Sequence, residues 1–174
     1  AAAPAAGHGS LADLQRDFQE KKFAAIDAYV KAHGDAVDAG AAIVEGVELA
    51  TALGQHDQAL RLADLYLGKF ATGEAAGPMR MARGQALSSK GDVAGAQKVF
   101  EEIVEKSGDD IQGLVAATTA LGDLLVENGK KDEAIELLGV VGAGHASVRG
   151  LKEHFDGIAE GYALIGTEPK AMGQ

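Results

Sequence analysis

Glycine recurs in this chain with a fixed period: Gly54, Gly91, Gly129 and Gly166 are separated by 37, 38 and 37 residues. The first three sit in the strings LGQHDQAL, KGDVAGAQ and NGKKDEAI, and each is followed five positions later by an alanine, Ala59, Ala96 and Ala134. Inside a helix such a glycine costs about 1 kcal/mol relative to alanine. At a helix end the same residue supplies the tight reversal that a side chain resists. A repeat of this length, with a glycine turn and then a small residue, is the pattern of stacked helical hairpins. The glycine closes a first helix A, and the alanine lets a second helix B press against it.

Apolar spacing fills in the helices around those turns. Ser10 and Asp13 form a capping-box-like start, and the helix it opens is expected to run to about residue 32, before His33-Gly34. Further helices are expected over about 35–53, 56–70, 78–90, 111–128, 131–141 and 147–165, with another after Gly91 and Ser147 as N-cap of the last. The cleanest is the fifth, where Ala96, Val99, Phe100, Ile103 and Val104 fall on one face. LLGVVGAG (137–144) is the one strand-like stretch, and its Ala134, Leu137, Leu138, Val141 spacing reads better as helix. The fold class is therefore all-α: a right-handed α-solenoid of antiparallel hairpins with about eight helices. The repeat units are expected at about 40–76, 77–114 and 115–151, in a single domain over 10–166. A flexible Ala/Gly/Pro tail precedes it over 1–9, and a tail or linker follows over 167–174.

The residues at the repeated positions resemble the tetratricopeptide repeat. In residues 77–110 the matches are Gly84, Leu87, Gly91, Ala96 and Phe100. In the next unit they are Leu121, Gly122, Leu125, Gly129, Ala134 and Leu138. The last helix matches helix A through Phe155, Ile158, Ala159 and Tyr162, running into Gly166. The first unit is weaker, with Ile43, Gly54 and Ala59, and residues 10–33 read as a preceding helix B with Ala25 in the alanine place. The period exceeds the usual length of about 34 residues, the terminal proline is missing, and Trp is absent. The resemblance implies a non-enzymatic scaffold whose partners are proteins or peptides. A second resemblance is confined to the end of the chain: IGTEP, with Gly166 and Pro169, is similar to the join between a helical N-terminal region and a thioredoxin-like domain in some exported proteins.

Composition narrows function further. With 16 Lys plus Arg against 26 Asp plus Glu, the formal charge is −10, which repels nucleic-acid phosphates and anionic membranes. The sequence contains no apolar run long enough to span a bilayer. Cysteine is absent, which excludes disulfides, thiolate metal sites and thiol catalysis within this chain. The start AAAPAAGHGS resembles a processed exported protein, periplasmic or extracellular, with a trimmed chain as the alternative. The five histidines form no HxxxH or HExxH pattern. GVVGAGHASVRG lacks the third glycine and the lysine of a phosphate loop. Glu101, Glu102, Glu105, Asp109 and Asp110 read as a solvated helix face. No cofactor, metal or catalytic residue is expected.

Two uses remain for such an array. In the first, exposed helix A positions bind a partner: Arg80, Arg83, Thr118 and Asp123 are the candidates, with the two arginines able to clamp a carboxylate. In the second, the chain is a self-assembling subunit, a homo-oligomer or filament with tails ordered against neighbours. Its last helix A would then offer Phe155, Ile158 and Tyr162 for end-to-end contact.

Overall fold

The computed structural model of the chain describes residues 9–165. Among these every regular element is an α-helix: α1 Leu11–His33, α2 Ala39–Ala52, α3 His56–Lys69, α4 Ala76–Ser89, α5 Val93–Lys106, α6 Ile111–Glu127, α7 Lys131–Gly144 and α8 Leu151–Leu164. The chain divides into two compact units between Asp92 and Val93, next to the Gly91 turn, where the sequence suggests one domain over 10–166. Gly166 and both tails lie outside the described residues.

The three glycine turns share one backbone geometry. Gly54, Gly91 and Gly129 have φ of 68°, 80° and 77°, the left-handed region that a Cβ disfavours. The residue after each glycine donates its N–H five residues back: Gln55 to the Ala50 carbonyl at 2.8 Å, Asp92 to Leu87 at 3.0 Å and Lys130 to Leu125 at 2.9 Å. Each glycine N–H bonds three residues back, to Thr51, Ser88 and Val126. This pair of bonds is the Schellman ending, which satisfies carbonyls that a helix C-terminus leaves open. Gly129→Ala is expected to destabilise by about 1–2 kcal/mol, because the added Cβ meets a strained φ rather than a neighbour. Gly139→Ala, in the exposed middle of α7 with open space around it, should instead stabilise by about 1 kcal/mol. Thermal or denaturant unfolding of the two variants checks the opposite signs.

A second backbone repeat, absent from the residue pattern, joins α1 to α2, α3 to α4 and α7 to α8. In HGDAVDA (33–39), Ala36 N–H bonds the His33 carbonyl at 2.9 Å and Ala39 N–H bonds Ala36 at 3.1 Å. FATGEAA (70–76) makes the same pair, Gly73 to Phe70 and Ala76 to Gly73, both at 2.9 Å. HASVRGL (145–151) makes it again, Val148 to His145 at 2.9 Å and Leu151 to Val148 at 3.2 Å. Two consecutive turns therefore use up the residues that helical spacing assigned to the start of the next helix. This is why α2 begins at Ala39 rather than near 35. It is also why α8 begins at Leu151 rather than 147: the N-cap is Gly150, in the left-handed region, and not Ser147. The connector before α6 is shorter, and there Asp110 caps the helix by accepting from the Gly113 N–H at 2.9 Å. At the other end of the chain the Ser10 cap forms as its sequence suggests, accepting from the Asp13 N–H at 3.1 Å.

In the first unit α2 packs on both α1 and α3, α3 packs on α4, and α2 also meets α4. The core runs through Phe23, Val30, Ile43, Val47, Ala59, Leu62, Tyr66 and Met79. Gly46 brings α2 close to α3: a Cβ there would lie 2.9 Å from Leu62 Cδ1. Asp27 of α1 holds Lys31 at 2.6 Å and reaches Arg61 of α3, and Lys69 binds Asp35 at 2.7 Å. Burial pushes the Asp27 carboxyl up, but the hydrogen bonds from Lys31 and Arg61 outweigh it and hold it below the usual carboxylate range. In the second unit α5, α6, α7 and α8 pack in sequence around Phe100, Leu114, Ala117, Leu121, Leu138 and Phe155. The alanines at the repeated position, Ala59, Ala96 and Ala134, are at most 1 % exposed. That burial is the physical content of their conservation of size from unit to unit.

The connectors also fix the register of α1. From connector to connector, residue 33 corresponds to residue 70, so the position of Ala59 in α3 falls on Lys22 and that of Leu62 falls on Ala25. The alanine place assigned to Ala25 is thus corrected to Lys22, and Ala25 itself is exposed. A long charged side chain is accommodated there because it reaches Glu45 of α2, with Lys22 Nζ 2.5 Å from the carboxylate.

Candidate interaction surface

The A helices of the array are α2, α4, α6 and α8. Side chains at one register position repeat at the period of the turns. One such position is exposed in all four: Glu48 and Gln85 in the first unit, Asp123 and Glu160 in the second. In the first unit Val44 and Met81, four residues before Glu48 and Gln85, are half-buried. Each A helix therefore presents a polar, mainly acidic residue one turn from an apolar or polar neighbour. Sequence reasoning found Asp123 alone among these. Applying the glycine period to the helix A faces, and not only to the turns, would have found Glu48, Gln85 and Glu160 as well.

The four residues expected to meet a partner have different fates. Arg80 is exposed and donates from its guanidinium to the Ala71 carbonyl at 2.8 Å, across its own preceding connector. Arg83 reaches back to α3 and binds Asp64 at 2.6 Å. The two arginines thus hold separate intramolecular acceptors, and a partner carboxylate would have to displace one of them. Thr118 is not available at all: it is fully buried in α6, and its hydroxyl has no hydrogen-bond partner within the structure. Thr118 was expected among the exposed helix A positions; the register instead puts it where Ile43 sits in α2 and Phe155 in α8, both fully buried. Asp123 is exposed and accepts a 2.6 Å hydrogen bond from the Tyr162 hydroxyl of α8.

That last contact explains Gly122. A Cβ on Gly122 would fall 2.9 Å from the Tyr162 hydroxyl oxygen and 3.1 Å from a ring carbon, so the glycine makes room for the phenol to lie across α6. Burial and the Asp123 carboxylate beside it push the Tyr162 phenol well above the ordinary tyrosine range. Tyr162 is consequently a packing residue within the second unit. Of the end-to-end set, Phe155 is fully buried against α7, its Cβ 3.7 Å from the place a Gly142 side chain would occupy, and Tyr162 is 7 % exposed. Only Ile158 keeps part of its surface open. Phe155 and Tyr162 were expected to face outward for end-to-end contact. They face inward because α7 precedes α8.

Gly84 and Gly122 are buried in their helices, and Phe100 is 2 % exposed, as small or large packing residues of a repeat. Among the described residues, no three His, Asp or Glu side chains are grouped to hold a metal ion, and no helix is long and apolar enough to cross a membrane.

No protein-family model matches this chain, and no curated protein matches it. Among solved structures, the chain is similar to a Podosopora anserina protein described as a kinesin light chain with nearly identical TPR-like repeats. The sequences are 19 % identical, the match covers 90 % of this chain and 86 % of that one, and the TM-score is 0.64. At that identity the likeness is one of fold. The fold class is that of an all-α, TPR-like solenoid, as the glycine period predicts. Gly166 and Pro169, which carry the resemblance to a thioredoxin-like join, lie outside the described residues, and no protein of that kind is among the matches.

Proposed function

We propose that this chain is a non-enzymatic scaffold that binds extended protein or peptide segments on the helix A face of each unit. The observation that carries this reading is the TPR-like fold, whose stacked hairpins leave one helix face per repeat open for a partner. The recurrence of an exposed polar residue at one register position, Glu48 and Gln85 in the first unit and Asp123 and Glu160 in the second, supports it. With a formal charge of −10, the scaffold favours segments rich in Lys and Arg, attracted by the field of the whole protein and then held by local hydrogen bonds.

Fluorescence anisotropy with two sets of labelled extended peptides, one basic and one acidic, tests the proposal. Basic peptides are expected to bind, with affinity falling as salt is raised. Replacing both Glu48 and Gln85 with Lys should weaken that binding by about tenfold or more, since each rim charge acts mainly on encounter and register. Equal affinity for the two peptide sets, or no effect of the double substitution, would count against this surface.

A further inference from the structure

The chain has a single asparagine, Asn128, and it stands immediately before the left-handed glycine of a Schellman turn in the second unit. An Asn-Gly step is the pairing most prone to spontaneous deamidation, because glycine has no side chain to hinder attack by its own amide nitrogen. The corresponding residues before Gly54 and Gly91 are Leu53 and Lys90, so the turns of the first unit carry no amide side chain at this place. We propose that Asn128 is a covalent modification site, held in check by the folded turn, whose deamidation irreversibly loosens the α6–α7 hairpin.

In this reaction the Gly129 amide nitrogen loses its proton to hydroxide and attacks the side-chain carbon Cγ of Asn128. The new N–Cγ bond closes a five-membered succinimide. The Cγ–Nδ2 bond breaks, and that nitrogen takes up a proton from water and leaves as ammonia. A second water then opens the ring. Attack at Cγ gives an ordinary aspartate; attack at the main-chain carbonyl gives isoaspartate, in which the chain runs on through Cβ and Cγ.

Three features of the folded turn hold the reaction back. Ring closure needs the Gly129 nitrogen eclipsed with the Asn128 Cβ, and the Asn128 ψ of 16° turns that nitrogen to the far side of the Cα–C bond. The Gly129 N–H, whose proton must leave, donates to the Val126 carbonyl at 3.0 Å. The side-chain amide is anchored as well, its Nδ2–H donating to the Leu124 carbonyl at 2.7 Å. All three are lost together when the turn opens, a local event that leaves most of the unit folded. Glycine is nevertheless fixed at 129, because the turn requires its φ of 77°. The residue that makes the turn possible is thus the one that makes Asn128 labile.

Neither product fits the turn it came from. An aspartate side chain has no N–H to give the Leu124 carbonyl, and its charge falls at the C-terminus of α6, where the helix dipole disfavours an anion. Glu127, adjacent in the chain, adds like-charge repulsion. Isoaspartate goes further, because its extra main-chain carbon falls inside the loop that the Lys130 N–H closes onto the Leu125 carbonyl at 2.9 Å. That bond and its partner from Gly129 lose their register, and with them the ending that turns α6 into α7. Opening permits the reaction and the reaction favours opening, so the change runs one way.

Peptide mapping by mass spectrometry tests the proposal on the full chain, incubated at mildly alkaline pH with and without urea. In urea Asn128 should convert to a mixture of aspartate and isoaspartate. In the folded chain the conversion should be slower by about tenfold or more, the protection that a closed turn gives. The aged, converted chain should then show faster hydrogen exchange at the end of α6 and the start of α7, with α2 and α3 as the internal reference. An Asn128→Gln chain aged in parallel should keep its original exchange, since glutamine closes the larger ring far more slowly. Equal conversion rates with and without urea overturn the proposal, and so does an absence of conversion in urea. It is equally overturned by a converted chain whose exchange matches the fresh one, or by the same loosening in the Asn128→Gln chain.

Discussion

Phe155→Ala should destabilise the second unit by about 3–5 kcal/mol, the cost of a large aromatic deleted from a closed site. Phe155 is fully buried, and α8 packs on α7 through it, with Gly142 giving the close approach. Part of the loss is the transfer energy of the ring, and part is the cavity that α7 and α8 cannot collapse to fill. The internal comparison is Phe18→Ala. It removes the same side chain from a position 66 % exposed, and should change stability by no more than about 0.5 kcal/mol. Denaturant unfolding of the two variants gives the contrast directly. If Phe155→Ala were as mild as Phe18→Ala, Phe155 would be an outward-facing residue after all, as the sequence alone suggests.

Ala134→Leu is expected to have the opposite steric origin and a cost of about 1–3 kcal/mol. Ala134 is fully buried where α7 lies on α6, five residues after the Gly129 turn. Three added carbon atoms have no void to enter, so either the leucine takes a poor rotamer or the hairpin opens. Ala143→Leu in the same helix is the control: Ala143 is exposed, and alanine and leucine differ little in helix propensity. Its effect should lie within about 0.5 kcal/mol. A similar cost at both positions would mean that the period of small residues is a matter of helix propensity and not of close packing.

The turns and the buried small residues were legible because each depends on one residue type at one place. Only glycine accepts the left-handed φ of a Schellman ending without strain, so Gly54, Gly91 and Gly129 mark the same backbone event wherever they occur. The connectors were not legible, because HGDAVDA, FATGEAA and HASVRGL share hydrogen bonds between backbone groups that every residue carries. The helix starts at Ala39 and Leu151 follow from those bonds, and so does the displacement of Ser147 from the N-cap. The partner-facing residues were read least well. Thr118 is polar and yet buried, while Phe155 and Tyr162 are apolar or aromatic and also buried, though the last helix had been expected to show them to a neighbour.

By itself, the sequence determined the helical class, the length of the repeat and the places where A helices turn into B helices, because these are set by local backbone and steric requirements. The tertiary structure decided which face of each helix is covered. It turned Phe155 and Tyr162 inward, gave Arg83 to Asp64, and left Leu11, Leu14 and Phe18 of α1 in the open. Burial is a property of neighbours distant in the chain: a helix face is apolar in composition whether or not a helix comes to lie on it, and only the packed array shows which of these faces are covered.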